Sequence, residues 1–140
     1  MPVGKTMDAG WQIGVSITVR RNVVDVWDYL VSTEGLETWL GSGVELHGGK
    51  GETYETKDGT HGELRSYRPL DRIRLTWQPK DWDHETTVQI ALDDKGDRTG
   101  IAFHQERLAD ADERRRQREH WRAVSEQVHH DLSHRLSEAE

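Results

Sequence analysis

The sequence predicts an α+β fold: a curved antiparallel sheet of about seven strands, two short helices after the first strand, and a long C-terminal helix packed on the sheet. Three observations carry this. An alternating run near the start gives way at once to helical spacing, the stretch 43–107 breaks into short alternating runs divided by turn residues, and roughly the last thirty residues hold one apolar stripe at helical period. A length of 140 residues fits one domain over 1–140, with its core at about 11–136 and a flexible 1–10.

In chain order, Ile13, Val15, Ile17 and Val19 alternate with Gln12, Gly14, Ser16 and Thr18, which makes 11–20 a strand with one buried face. Asn22 with Asp25 three residues on is an N-cap, and Val23, Trp27, Leu30 and Val31 recur at helical spacing, so a helix is predicted over 23–31. A second helix over 34–40 is introduced by Thr33 and stopped by Gly41. Strands are then predicted at 44–47, 52–57, 61–68, 72–78, 85–92 and 98–107. They break at Gly48-Gly49, at Asp58-Gly59, the sharpest hairpin signal, at Pro69 and Pro79, and in the loop 93–97. Ile73, Leu75 and Trp77, then Val88, Ile90 and Leu92, then Ile101 and Phe103 form the inward sets; Arg74, Thr76, Gln89 and His104 lie between them on a wet face. Asp110 with Glu113 in capping-box spacing opens the last helix, whose stripe is Trp121, Val124, Val128, Leu132 and Leu136. Ahead of Trp121 the same face carries Arg114, Gln117 and Arg118, which belong over water, a loop or the mouth of a cavity.

Composition mainly excludes. With 26 acidic against 19 basic residues the net charge is −7, which argues against nucleic acid as a partner. Cysteine is absent, so disulfides, thiolate metal sites and cysteine nucleophiles are excluded, and a cytoplasmic setting fits. No apolar run reaches the roughly 18 residues of a membrane helix, and residues 1–10 lack the pattern of a signal peptide. Six tryptophans against one phenylalanine concentrate the apolar material in a few large rings.

Five local strings occur in order on these elements: Val26-Trp27-Asp28-Tyr29-Leu30, Trp39-Leu40-Gly41, Gly62-Glu63-Leu64, the run 69–77 from Pro69 to Trp77, and His120-Trp121. Together with the element order they resemble the helix-grip fold of the START-like (SRPBCC) superfamily, and within it the bacterial single-domain branch named for the activator of the heat shock protein 90 ATPase. The resemblance covers about 11–136. It implies a cavity between sheet and long helix that in other members holds lipids, hormones or polyketides, with cyclase or hydrolase chemistry in some. It brings no invariant catalytic motif. The eukaryotic activators resemble this chain only in their C-terminal domain and add a chaperone-binding one.

A pocket is also expected on geometry, because one helix about 10 Å wide cannot fill the concave face of a twisted sheet. Its lining is predicted as Trp39, Tyr54, Tyr67, Trp77, Phe103, Trp121 and Val124, with the Tyr hydroxyls orienting a small apolar or aromatic ligand. The competing reading packs the same rings solidly as core.

The other candidates read as structure. His130 and His134 have the i, i+4 spacing of a zinc helix but lie on its solvent side, with His129 at the helix edge, so neither a metal nor another cofactor is expected. Arg114, Arg115, Arg116 and Arg118 read as a salt-bridged face, with Asp110–Arg114 and Asp112–Arg116 at i, i+4; Arg114 and Arg118 at a pocket mouth are the alternative. Asp83-His84-Glu85, His104 with Glu106, and Glu63 with Arg65 have acid–base residue types, but no catalytic residue is assigned. Trp82 is expected to fold back on its hairpin, with an exposed anchor for a partner or a lid as the alternative. Gly4-Lys5-Thr6 lacks the strand and earlier glycine of a phosphate loop. The function expected is a non-catalytic ligand-binding module, monomeric or weakly dimeric. The alternatives are a polyketide cyclase- or hydrolase-like enzyme and a chaperone ATPase activator-like accessory.

Overall fold

The computed structural model describes residues 5–6 and 10–139, with side chains over 11–134. Residues 1–4 and 7–9 of the expected flexible N-terminus, and the side chain of Leu136, lie outside the described residues. One antiparallel sheet of seven strands runs in the order β1-β2-β7-β6-β5-β4-β3. Its strands are β1 (Lys5–Thr6), β2 (Gly10–Val19), β3 (Thr53–Glu55), β4 (His61–Arg68), β5 (Arg72–Trp77), β6 (Thr86–Asp94) and β7 (Thr99–Leu108). β3 to β7 form a meander, and β2 joins its far side by pairing with β7. α1 (Val23–Val31) and α2 (Thr33–Trp39) connect β2 to the meander, and α3 (Ala111–Ala139) follows β7.

Two expectations about strands are corrected. Residues 44–47 form no strand. The backbone N–H of His47 and of Gly48 donate to the Glu52 carboxylate at 2.9 and 3.0 Å, so those donors are taken by an arch. Lys5–Thr6, inside the segment read as flexible, instead pairs with Gly10 and Trp11 as β1.

Local chemistry sets the helices. Asn22 caps α1, its side chain accepting from Asp25 N at 2.9 Å. α2 is capped by Ser32 rather than introduced by Thr33, and Ser32 Oγ accepts from Gly35 N at 3.1 Å. The α1–α2 corner is so tight that a Cβ on Gly35 would stand 1.9 Å from the Tyr29 carbonyl oxygen. α3 opens as expected at Asp110, whose Oδ1 accepts from Glu113 N at 2.8 Å, while Glu113 Oε1 accepts from Ala109 N at 3.0 Å.

Trp121, Val124, Val128 and Leu132 are buried on the inner side of α3, which rests mainly on β2. α1 and α2 add Val26, Trp27, Leu30, Leu36 and Trp39 to the same core, so the concave face is covered by three helices instead of one. Tyr29, fully buried, donates its hydroxyl to Asp131 of α3 at 2.6 Å and ties the helical layers together. On the outer face Arg74 pairs with Glu106, and His104 Nε2 lies 2.9 Å from Gln12 Oε1. Thr76, expected on that wet face, is buried, its Oγ1 accepting from Glu63 N at 2.8 Å.

Candidate functional site

A run of six rings leads from the buried Phe103–Trp121 pair through the exposed His120 to the buried Trp77 and on to the half-buried Trp82 and His84. Phe103 of β7 stacks on Trp121 of α3 at 5.6 Å between centroids, and Trp121 meets His120 edge-on at 5.0 Å. His120 lies 6.2 Å from Trp77 of β5, Trp77 meets Trp82 edge-on at 5.4 Å, and Trp82 stacks on His84 at 5.0 Å. Such offset and edge contacts are the preferred aromatic geometries.

A buried polar chain backs this run. Thr86 Oγ1 donates to the Trp77 carbonyl at 2.7 Å, Gln105 Nε2 donates to Thr86 Oγ1 at 3.0 Å, and Trp121 Nε1 donates to Gln105 Oε1 at 2.8 Å. Gln105 is fully buried, so each of these bonds satisfies a group that water cannot reach. Gln117, one turn before Trp121 on α3, keeps its Oε1 buried without a hydrogen-bond partner.

At the outer end, His84 Nε2 lies 2.6 Å from Glu113 Oε1 and His84 Nδ1 lies 2.9 Å from Asp83 Oδ1. Burial pushes the imidazole pKa down, but the two carboxylates outweigh it and hold His84 above the usual histidine value. Desolvation does the opposite to His120, whose ring is pressed against Trp77 and Trp121 and is held below that value.

The predicted lining residues fall into separate groups. Phe103, Trp121 and Trp77 belong to the ring run, and Val124 is buried one turn beyond Trp121. Trp39 lies in the α1–α2 corner, its Nε1 donating to the Leu30 carbonyl at 2.8 Å. Tyr67 meets Trp27 edge-on at 5.2 Å, and burial raises its hydroxyl pKa. Tyr54 donates its hydroxyl to the Thr76 carbonyl at 2.6 Å, which occupies the polar group expected to orient a ligand. Tyr54 also borders an open groove of about 620 Å³ on the β3–β4 edge, lined by Thr53, Glu55, His61, Glu63 and Glu85 among others. A smaller groove of about 310 Å³ crosses the outer face over Ser16, Thr18, Ala91 and Ala102.

The remaining candidates resolve as follows. Trp82 folds back on its hairpin as expected. Arg65 pairs with Glu63 at 3.2 Å. Arg114 donates through Nε to the Gln12 carbonyl at 2.7 Å rather than to Asp110, and Asp112 pairs with Arg115 at 3.2 Å rather than with Arg116. The rings of His130 and His134 lie 4.3 Å apart, and both residues are exposed, as is His129, which was expected to pack. Among the described residues no group of three or more His, Cys, Asp or Glu is arranged to hold a metal ion, and no helix is long and apolar enough to cross a membrane.

The sequence reading missed Gln105 and the contact between His84 and Glu113. Gln105 continues the alternation Ile101, Phe103 and was readable as inward on that basis. The His84–Glu113 contact joins residues 29 apart and has no local signal.

A twisted antiparallel sheet folded around a long C-terminal helix, with two short helices after its first long strand, defines a helix-grip protein of the START-like class. Residues 21–131 match the family described as Activator of Hsp90 ATPase homolog 1-like protein, and the chain belongs to that family. Among solved structures it is similar to CalU16 from Micromonospora echinospora, with 16% identity, a TM-score of 0.74, and 91% of this chain and 79% of that one covered. DynU16, described as a putative protein in the dynemicin biosynthetic locus, is 17% identical with a TM-score of 0.73. That match covers 87% of this chain, which spans only about half of DynU16, 47%. The Aha1 dimer from Colwellia psychrerythraea is 14% identical with a TM-score of 0.68, covering 84% and 92%. No curated protein matches the chain.

Proposed function

We propose that the chain is a binding module for a small apolar or aromatic molecule, held between the sheet and α3 without covalent chemistry. The observation that carries this reading is the continuous ring run from the buried Phe103–Trp121 pair out to the half-buried Trp82, an aromatic path from core to surface. Trp77, Phe103, Trp121 and Val124 line the proposed site, with Trp39, Tyr54 and Tyr67 as its outer walls. The buried, unpartnered Oε1 of Gln117 supports a ligand that carries one hydrogen-bond donor. Family membership and the likeness to a protein of a natural-product locus are compatible with this, although a fold hosts many functions.

Native mass spectrometry of the freshly purified chain tests the proposal, together with titration of anilinonaphthalene sulfonate. A co-purified small molecule, or saturable probe binding weakened about tenfold or more, roughly 1.4 kcal/mol, by Val124→Trp, is the expected result. An empty chain whose probe binding is unchanged by Val124→Trp overturns it. The same spectra read the oligomeric state, for which we propose a monomer or weak dimer.

A second reading, an accessory that stimulates a chaperone ATPase, is favoured by the family's description alone. Co-precipitation of a chaperone whose ATPase rises on addition of this chain supports it, and an unchanged ATPase rate removes it.

A further inference from the structure

The loop 79–85 joins β5 to β6 and carries Trp82 across Trp77. Its own hydrogen bonds are short-range: Trp82 N donates to the Pro79 carbonyl at 3.0 Å, and Gln78 Nε2 donates to the Trp82 carbonyl at 2.7 Å. Among the described residues, the hydrogen bond that ties this loop to α3 is the one between His84 and Glu113.

That bond depends on a proton. Both ring nitrogens of His84 face carboxylate oxygens, Glu113 at 2.6 Å and Asp83 at 2.9 Å. A carboxylate only accepts and a neutral imidazole carries a single N–H, so the two bonds coexist only on an imidazolium. The Glu113 side chain is 8% exposed and holds the Ala109 N–H at 3.0 Å; a neutral His84 leaves it at most one uncharged N–H, with the fully exposed Asp83 turning to water. A hydrogen bond between two ionised groups is roughly twice as strong as one between neutral groups, so loss of the proton weakens the hold of His84 on the buried Glu113. The flat stack of Trp82 on His84 is likewise stronger when the imidazole is cationic.

We propose that the 79–85 loop is a proton-operated lid at the outer end of the ring run. With His84 protonated, the loop is clamped to the first turn of α3 and Trp82 covers Trp77; loss of that proton leaves at most one uncharged N–H on Glu113, weakens the clamp and lets Trp82 move clear more readily. The charged groups facing His84 are Asp83 from its own loop and Glu113 from α3. β5 presents the uncharged Trp77, Gln78 just after it is bonded to the Trp82 carbonyl, and Arg114 next to Glu113 is turned to the Gln12 carbonyl on β2. His120 packs on the far side of Trp77, and desolvation disfavours its charged form. The switch operates whether or not a ligand occupies the space beneath, so its test needs none and fails independently of the ligand-binding reading.

Tryptophan emission of the full chain, followed from about pH 5 to about pH 9, reads the lid directly. The expected result, read in a His120→Asn background because His120 sits beside Trp77 and Trp121 and titrates on the acid side of the ordinary histidine value of 6.5, is one transition with a midpoint above that value. Trp82→Phe removes its amplitude, His84→Asn abolishes it, and Glu113→Gln moves the midpoint to lower pH. An amplitude that persists in Trp82→Phe, or a midpoint that Glu113→Gln leaves in place, overturns the proposal. Nitrogen NMR of the His84 ring in the unsubstituted chain keeps the test independent of variant folding. Both nitrogens protonated below the midpoint support the clamp, and a neutral ring there overturns it.

Discussion

Trp121 places its one N–H inside the core, on a glutamine that has no access to water. Trp121→Phe keeps an aromatic ring against Phe103 but strands Gln105 Oε1, so a loss of about 1–3 kcal/mol is expected in urea unfolding. Adding Gln105→Met to that variant removes the orphaned acceptor and recovers part of the loss; two substitutions whose effects merely add would contradict this account. Glu52 makes a second residue-scale case. Burial raises its carboxyl pKa, but bonds from the His47 backbone and ring and the Gly48 backbone outweigh that and leave it below the ordinary 4.5. A depressed carboxyl contributes stability that is present above its unfolded value and is lost as pH falls through the folded one. The 44–52 arch is therefore expected to loosen in acid, seen as a smaller protection of the His47 and Gly48 amides relative to their intrinsic exchange rate at each pH. Glu52→Gln should show the same loss of protection at neutral pH.

At the scale of elements, the α1–α2 corner depends on the absence of one side chain. A Cβ at Gly35 would sit 1.9 Å from the Tyr29 carbonyl oxygen, a backbone atom that cannot yield without moving α1. Gly35→Ala should cost on the order of 1–3 kcal/mol despite its favourable helix propensity, and thermal unfolding measures it. Nothing in the sequence marks this, since a glycine at the start of a helix normally reads as a weak position. The elements that were legible are those whose burial follows their own period: β2, α1, the meander β4 to β7, and the Trp121-to-Leu132 stripe of α3. The strand expected at 44–47 failed because Val44 and Leu46 alternate correctly while Glu52, several residues away, captures the backbone donors a strand would need. The candidate site was half legible for the same reason. Trp77, Phe103 and Trp121 follow from alternation and helical spacing, whereas the clamp of His84 on Glu113 exists only because the β5–β6 loop folds back over the first turn of α3.

Over the whole molecule, three histidines set opposing responses to acid. His104 is held below the ordinary 6.5 chiefly by burial, with Arg74 adding to it against Glu106, and His120 is lowered by burial alone. For both, the unfolded chain takes up its proton first, so stability falls as pH drops through about 6.5 and levels off below the folded values. His84 works the other way. Its raised pKa contributes stability that is fully present below the unfolded value and is lost as pH rises through the folded one. In the native chain the two effects act in adjoining windows: His84 adds stability as pH falls from its folded value to about 6.5, and His104 and His120 remove it below, so their summed contribution peaks near 6.5. His84→Gln removes the compensating group while leaving His104 and His120 in place. Urea midpoints measured from about pH 8 down to about pH 5 should then lack, for His84→Gln, the rise that the native chain shows as pH falls to about 6.5, and below that the two curves should run parallel. Curves that stay parallel across that range would mean that His84 carries no more protons in the folded protein than in the unfolded one. The converse pair, His104→Gln with His120→Gln, should tilt the dependence the other way, so that the histidine contribution rises as pH falls to about 6.5 and stays level below it.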